Sequence, residues 1–370
     1  MSRFSNLGHR LYQGEVSFDF VGRRKIWYSI SGVIVLVAAI GLAMGLHLGI
    51  EFKGGAVYTV TKPGLTVTQA QDVASKITGN ANSLVQSTDK SIKIQVSSDV
   101  KVDSVTFIKE LSTDLGVSSD KINAQVVGPS WGHEISQKAL TGLVIFMILV
   151  TIYLAIAFEW RMAVAALVAL IHDLLITIGV YALVGFQVTP GTVIGFLTIL
   201  GYSLYDTVVV FDTVKENSKG ITKQNKVTFS EAANAGLNQT LVRSINTTVV
   251  ALLPVAALLF IGGGLLGAGT LNDISLALFI GLAAGAYSSI CVATPLYAQL
   301  KEATPEMRAL AKRVAQRRAA DAKAAAEAPE GSSDEDEAED EGAEADAGMV
   351  GQRKQPVSRS RSKGRPSGKH

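Results

Sequence analysis

The sequence predicts a membrane protein: an all-α bundle of six transmembrane helices with one extracytoplasmic α+β domain of ferredoxin-like topology between helices 1 and 2. Three observations support this prediction. The 370 residues are 48% hydrophobic and only 18% charged, and the mean hydropathy of +0.30 is too high for an ordinary soluble enzyme of this length. Six apolar runs reach the roughly 20 residues that a helix needs to cross a hydrocarbon core. The one long segment between runs mixes strand and helix patterns.

The six spans are expected at 27–47, 137–158, 162–184, 190–211, 241–261 and 274–295. The first run follows three basic residues and therefore resembles a secretory signal. Its length of about 20 residues exceeds the apolar region of a usual signal peptide. It also leads directly into the glycine-containing segment 49–55. We therefore interpret the first run as a membrane anchor.

Lysine and arginine residues predict the orientation, because positive residues near span ends are retained in the cytoplasm. Five basic residues precede the first span within segment 1–26, and four lysines lie in the loop 212–240. The turns on the opposite side, 185–189 and 262–273, contain no basic residue. Both termini are therefore expected in the cytoplasm, and the domain at 48–136 is expected outside.

The segment 48–136 carries a regular order of strand and helix patterns. Alternating apolar residues predict four strands, and apolar residues at helical spacing predict two helices between them. The strands are expected at Ala56–Thr61, Ser83–Gln86, Ser91–Val96 and Ile122–Val127, and the helices at Thr66–Ile77 and Val102–Leu115. This βαββαβ order is typical of the split-βαβ, ferredoxin-like arrangement. An irregular surface loop is the alternative, although loops of this length are seldom structureless.

The cytoplasmic tail, 301–370, changes composition along its length. Helix-forming alanine and arginine residues continue to about Ala328, an acidic run follows at 334–346, and a basic end follows at 353–370. Blocks of like charge without apolar periodicity do not build a core, so most of the tail is expected to be disordered. Its basic end could contact anionic lipid or ribosomal RNA. A solvated tail without a specific partner is the alternative.

The motifs of soluble enzymes are missing from the sequence. It contains no GxxxxGK[ST] loop, no HExxH, no CxxC and no GxSxG. The single cysteine, Cys291, excludes a disulfide framework within the chain and a zinc site built from cysteines. We therefore expect no enzymatic activity, no cofactor and no bound metal.

Ionisable residues inside apolar spans are the functional candidates, because a buried charge is costly unless it is paired or hydrated. Asp206 lies deep in the fourth span, and Arg243 begins the fifth span at a similar depth. The two could pair across the helices and exchange a proton when they separate, which predicts a proton relay. Neighbouring polar residues that could support the pair are Ser203, Asn246, Thr247 and Thr248. A permanent salt bridge that only holds two helices together is the alternative.

Accessory polar residues lie near this pair. Asp212 is placed near the cytoplasmic end of the fourth span, and Asp173 follows His172 in the third. Adjacent residues on a helix point about 100° apart, so His172 and Asp173 are not expected to face each other. Packing or hydrogen bonding between helices is the expected role of Asp173. Gly281 and Gly285 have a GxxxG spacing that permits close helix contact.

Several sequence motifs resemble those of the SecD/SecF family of protein-export membrane proteins. They are GIEFKGG (49–55), FEWR (158–161), GYSLYDTVVVFD (201–212), LNQTLVRSINTT (237–248) and AGAYSS (284–289), in the family's order, within residues 18–300. The fourth-span aspartate of the family corresponds to Asp206, and the fifth-span arginine corresponds to Arg243. Two positions depart from the family pattern, since Tyr205 replaces an asparagine and Thr213 replaces an arginine.

The resemblance implies a resistance-nodulation-division fold in the plasma membrane of a prokaryote. It also implies a SecD-like partner subunit, the SecYEG channel and unfolded preproteins as partners, with membrane lipids around the spans and no specific nucleic acid. Proton-motive force would drive the outside domains to assist late steps of preprotein translocation. Half of a small-molecule or lipid exporter of the same superfamily is one alternative, which a large apolar pocket between domains would favour. A purely structural subunit is another.

Overall fold

The computed structural model describes residues 17–79, 83–88, 91–98, 100, 103–265 and 269–327. Within these residues, six helices are long and apolar enough to cross a membrane. They are α1 (Arg24–Met44), α5 (Pro129–Ala157), α6 (Trp160–Val184), α7 (Pro190–Asn217), α8 (Phe229–Ala257) and α9 (Gly269–Ser288). The predicted acidic run, the predicted basic end and residues 1–16 lie outside the described residues.

The helices extend further than the apolar runs. α5 begins at Pro129 instead of residue 137, α7 continues to Asn217, and α8 begins at Phe229 instead of residue 241. The apolar pattern ends where the membrane ends, whereas backbone hydrogen bonding continues into water as long as caps support it. At the start of α8, Thr228 and Glu231 form such a cap. The expected loop 212–240 therefore shortens to residues 218–228 between helices.

The segment between α1 and α5 folds as a sheet covered by two helices. Its elements are β2 (Gly55–Val60), α3 (Val67–Thr78), β3 (Leu84–Thr88), β4 (Ser91–Ser97), α4 (Ser104–Leu115) and β5 (Ile122–Val127). The four strands form an antiparallel sheet in the order β3-β4-β2-β5. A separate apolar core lies between sheet and helices, and its centre is a stack of Tyr58 on Phe107 with ring centroids 4.2 Å apart.

The GIEFKGG segment connects this domain to the bundle. After the short strand β1 (His47–Leu48), it forms one helical turn, α2 (Ile50–Lys53), and then enters β2. Gly54 and Gly55 have φ of 76° and 134°, values that L side chains rarely adopt. A Cβ at Gly55 would lie 2.3 Å from the carbonyl oxygen of Val96. Both glycines are therefore required by the geometry of the turn.

Two further contacts join the domain and the bundle. β1 pairs in parallel with β6 (Gln187–Val188), which follows α6. The side-chain amide of Gln95 on β4 donates to the carbonyl of Leu48 at 3.2 Å. The sheet is thus held, through its inner strand β4, at the end of the bundle where α1 and α6 terminate.

Small residues set the distances between the central helices. A Cβ at Gly281 on α9 would lie 2.1 Å from Ile199 Cδ1 on α7, and one at Gly285 would lie 3.0 Å from Ser203 Cβ. The close contact predicted from the GxxxG spacing is therefore confirmed. After α9, a π-helical turn (Ser289–Ala293) leads into α10 (Thr294–Glu302) and then α11 (Pro305–Glu327).

α11 packs on the short 218–228 connection at the opposite end of the bundle. Met307 and Leu310 belong to the main apolar core, which also includes Ile221 of the connection. The guanidinium of Arg313 donates to the carbonyl of Thr222 at 2.9 Å. The described start of the tail is therefore part of the folded structure.

Candidate functional site

Asp206 is the meeting point of three helices. It lies on α7 and is 4% exposed. The hydroxyl of Ser244 on α8 lies 2.9 Å from Oδ1 and 2.7 Å from Oδ2 of its carboxylate. The hydroxyl of Ser289, at the start of the π-helical turn, also donates to Oδ2. The carboxylate is thus surrounded by neutral donors.

Arg243 does not form the predicted pair with Asp206. Among the described residues the two make no ion pair, and Arg243 is exposed on the surface of the bundle. Ser244 occupies the face of α8 that meets Asp206, and the preceding residue points about 100° away from that face. The permanent salt bridge considered as an alternative is therefore absent from this structure.

The predicted supporting residues lie elsewhere. Ser203 is fully buried but donates to Asp173 and not to Asp206. Asn246 is exposed. The hydroxyls of Thr247 and Thr248 both donate to the carbonyl oxygen of Ser244 at 2.9 Å, which is the usual bond of a threonine to the preceding helical turn. Among the described residues, none of the four donates a hydrogen bond to Asp206, so their predicted role as its hydrogen-bond partners is not observed.

Asp173 has a second buried site of its own. It lies on α6 with 0% exposure, and its Oδ2 accepts the hydroxyls of Ser203 on α7 and of Ser288 on α9, the latter at 2.8 Å. The predicted hydrogen bonding between helices is confirmed. However, Nδ1 of His172 lies 3.3 Å from Oδ1 of Asp173. The prediction that these two do not face each other is wrong, because their terminal atoms converge although their Cα–Cβ bonds diverge.

The other sequence candidates lie away from the buried carboxylates. Asp212 is exposed near the end of α7. Tyr205, which departs from the family pattern, is 56% exposed and faces away from Asp206. The hydroxyl of Thr213 donates to the carbonyl of Val209 within the same helix. Among the described residues, neither Tyr205 nor Thr213 forms a hydrogen bond to Asp206.

Sequence reasoning missed three serines that contact the carboxylates: Ser244, Ser288 and Ser289. For Ser288 and Ser289 the sequence contains a signal, which is two consecutive hydroxyl side chains in an otherwise apolar span. Serine hydroxyls in spans commonly form hydrogen bonds to neighbouring helices. The hydroxyl of Thr294 donates to the carbonyl of Ser289 across the π turn at 3.0 Å. Single π turns inside α-helices occur frequently at functional sites. The local irregularity of this span thus coincides with its contact to Asp206.

A separate cavity lies between the sheet and the end of the bundle. Its volume is about 770 Å³, and its lining includes the charged residues Glu51, Lys93 and Asp273. The Asp273 carboxylate accepts the hydroxyl of Thr189 at 2.9 Å. The cavity is therefore polar on several sides and differs from the apolar pocket that an exporter of small molecules would favour.

Comparison with known proteins places the chain in one family. The family described as protein export membrane protein SecD/SecF, C-terminal, matches residues 107–303. The protein translocase subunit SecF of Streptomyces coelicolor is 60% identical over the full length of both chains. The SecF of Mycobacterium tuberculosis is 41% identical over 85% of this chain and 75% of its own.

A solved structure extends the likeness to three dimensions. SecDF of Thermus thermophilus, described as a translocon-associated membrane protein, superposes with a TM-score of 0.67 at 28% identity. The match covers 78% of this chain and 39% of the SecDF chain, so this chain spans about two fifths of that longer protein. With six apolar helices and relatives of this kind, the chain is a multi-pass membrane protein with a role in Sec protein export, and it belongs to the SecF family of protein translocase subunits.

Proposed function

We propose that the chain uses proton-motive force to assist late steps of preprotein translocation across the plasma membrane, with Asp206 as the proton carrier. The observation that carries the proposal is the bonding of Asp206. Its carboxylate is buried within the spans, and among the described residues it accepts hydrogen bonds only from the hydroxyls of Ser244 and Ser289. A carboxylate without a cationic partner in an apolar interior is costly when ionised. Protonation removes that cost, so the site is suited to bind and release a proton.

The energy available from such a site is adequate for mechanical work. One elementary charge that crosses a potential of 100 mV releases about 2.3 kcal/mol. Since about 1.4 kcal/mol changes an equilibrium constant tenfold, a few protons can shift a two-state conformational equilibrium almost completely. We propose that serine donors on α8 and after α9 respond to the protonation of Asp206 and so convert it into helix movement.

A SecD-like subunit is the proposed partner. Arg243 immediately precedes Ser244, which contacts Asp206, and it is exposed on the bundle at that depth. An arginine directed into hydrocarbon costs several kcal/mol. A second set of helices that covers this face would remove that cost and would bring Arg243 into a protein interior. The SecDF structure, in which this chain matches about two fifths of the length, supports such a partner.

The outside domain is proposed to be the moving part. The order β3-β4-β2-β5 with two helices on one face supports a ferredoxin-like split βαβ. Lysine and arginine residues occur in segments 1–26 and 212–240 and at the start of the tail, at Lys301, Arg308, Lys312 and Arg313, whereas the turns 185–189 and 262–273 contain none. This distribution supports cytoplasmic termini and a domain outside the membrane. We propose that the chain acts without enzymatic activity or cofactor on unfolded preproteins that leave the SecYEG channel. An exporter of small molecules finds no specific support, since the cavity beneath the sheet carries Glu51, Lys93 and Asp273.

The test is the release of a secretory protein from membrane vesicles that contain the chain and its SecD-like partner, with and without a proton gradient. We expect the gradient to accelerate release with the wild type and not with Asp206→Asn. Asp212→Asn is the matched control, because it is the same change on the same helix at an exposed position. Equal acceleration in wild type and Asp206→Asn would show that Asp206 is only a buried structural carboxylate.

A further inference from the structure

The pair formed by His172 and Asp173 is a second buried ionisable site that the proposed relay does not use. Both side chains are more than nine-tenths buried within α6. Nδ1 of the imidazole lies 3.3 Å from the carboxylate, whereas Nε2 is buried and has no hydrogen-bond partner in the described part of the chain. The pair therefore contains one nitrogen position at which a proton can be gained or lost without breaking an existing hydrogen bond.

The charge of this pair depends on one proton. With Nδ1–H donating to an ionised Asp173, the pair carries one negative charge in an apolar interior. One added proton, on Nε2 of His172 or on the carboxyl, makes the pair neutral overall. Because burial disfavours a net charge, the neutral pair, which carries the added proton, is less costly in this interior than the negatively charged pair.

The groups around the pair are mainly neutral. On α9, the ring of Tyr287 stacks on His172 with centroids 6.0 Å apart, and its hydroxyl lies 2.9 Å from that of Ser31 on α1. Cys291, on the π turn that follows α9, lies near Tyr287. On α7, Ser203 faces Asp173, and Asp206 lies one turn further along. Among the described residues, no lysine or arginine forms an ion pair with Asp173.

Consecutive serines connect this pair with Asp206. Ser288 donates to Asp173 and Ser289 donates to Asp206, so neighbouring residues of one helix contact both carboxyl groups. Gly285 holds that helix against Ser203, because a Cβ at this position would lie 3.0 Å from Ser203 Cβ. A displacement of the Ser288–Ser289 segment toward one carboxyl group necessarily changes its distance to the other.

We propose that His172 and Asp173 share one exchangeable proton, and that Ser288 and Ser289 couple this pair to Asp206 so that the two sites do not titrate independently. The inference rests on the proposed function only where it concerns export. The proton taken up by the pair comes from water or from Asp206 and returns to one of them, with no other bond formed or broken. His172 and Asp173 are then positioning residues for Asp206 that also store a proton.

The test is infrared spectroscopy of the chain with its SecD-like partner in lipid, following the C=O stretch of protonated carboxyl groups. The titration runs from about pH 4 to about pH 9, which spans the ordinary pKa values of carboxyl and imidazole groups. We expect Asp173→Asn to remove one component and to shift the midpoint of the remaining buried component by about 1 pH unit. Ser288→Ala should reduce that mutual shift. Ser275→Ala is the control on the same helix, since the hydroxyl of Ser275 bonds only to backbone carbonyls.

Three outcomes separate the claims. Unchanged carboxyl bands in Asp173→Asn, together with the same number of protons taken up between about pH 4 and about pH 9 as in the wild type, would show that the pair holds no exchangeable proton. If the titration midpoint of the remaining buried carboxyl group is the same in Asp173→Asn and in Asp206→Asn as in the wild type, the coupling is refuted. If Asp173→Asn does not assemble with the partner, His172→Gln is measured instead. The number of protons that this variant takes up must then be lower than that of the wild type. If these spectra behave as expected while the gradient leaves export unaffected, the proposed function fails and the coupled pair stands.

Discussion

Ser244 and Asp206 form the shortest connection between α7 and α8 within the spans, with the serine hydroxyl 2.7 Å from Oδ2 of the carboxylate. The serine takes the place that the sequence assigned to Arg243. A neutral donor stabilises the ionised carboxylate without fixing it in that state, whereas a guanidinium at the same position would oppose protonation. The proposed proton carrier is thus bonded to a neutral donor and not to a cation.

The first prediction concerns this serine. Ser244→Ala removes a donor from a buried carboxylate, a loss of about 1–3 kcal/mol for the ionised form. We expect gradient-dependent release to fall, and Ser244→Thr to restore most of it. Thr248→Val is the control, because the Thr248 hydroxyl bonds to a backbone carbonyl one turn away. An equal loss in both variants would indicate a general packing effect in α8.

The second prediction tests whether the sheet domain between α1 and α5 has an independent core. Phe107 is fully buried against Tyr58, so Phe107→Ala should cost about 3–5 kcal/mol. Val105, on the same helix, is 73% exposed, and Val105→Ala should change stability by less than about 0.5 kcal/mol. Hydrogen exchange of the full chain should accelerate in β2 and β4 of the Phe107 variant and stay unchanged in α6 and α7. Acceleration in both regions would show one cooperative core instead of two.

The sheet domain between α1 and α5 was the part of the fold most accessible to prediction. Its strands alternate and its helices keep one apolar face, so the two periods are distinct in the sequence. The predicted strand Ile122–Val127 coincides with β5, and α4 begins at Ser104, two residues after the predicted start. The spans are also evident from composition, but their ends are not, because helices continue beyond the apolar run.

The partners of the buried carboxylates could not be predicted for a related reason. When a span is apolar on all sides, its sequence has no hydrophobic periodicity that would show which face of the helix points into the protein. A rotation of about 100° decides whether Arg243 or Ser244 meets Asp206. The rule that neighbours on a helix diverge also gave the wrong result for His172 and Asp173, since it describes Cβ directions and not the reach of the side chains. The burial of Asp173 and Asp206 followed from the cost of a charge in an apolar span.

The third prediction concerns the contact of α9 with α7. Gly281→Ala would place a Cβ 2.1 Å from Ile199 Cδ1, so the helices must separate or the isoleucine must move. Overpacking of this kind costs about 1–3 kcal/mol. We expect a lower temperature of inactivation for Gly281→Ala, and a double variant that also carries Ile199→Ala should lose less stability than the sum of the two single variants. Gly201→Ala serves as the control, because a Cβ there meets no atom within 4 Å. Losses that simply add in the double variant would place the cause outside this contact.

The fourth prediction concerns pH and the residues that join α6 to α10. Glu159 precedes α6, and its carboxylate accepts the hydroxyl of Tyr297 at 2.8 Å and the ammonium of Lys301. Burial raises the pKa of Glu159, but these two hydrogen bonds and the positive charges of Lys301 and Arg161 together lower it by more, so the pKa lies below its ordinary value. Because the folded pKa is depressed, the stabilisation is present above the unfolded pKa of about 4.3 and is lost as the pH falls through the folded value.

Glu159→Gln should therefore lower the inactivation temperature of the purified protein near neutral pH and have little effect at a pH below the folded pKa of Glu159. The Glu159 side chain is 36% exposed, so solvent screening limits the difference to about 1 kcal/mol. Glu216→Gln, at an exposed glutamate of α7, is the control and should show no such pH dependence. A difference between wild type and Glu159→Gln that stays constant down to the lowest pH would mean that the neutral hydrogen bond to Tyr297, and not the charge on Glu159, holds the ends of α6 and α10 together.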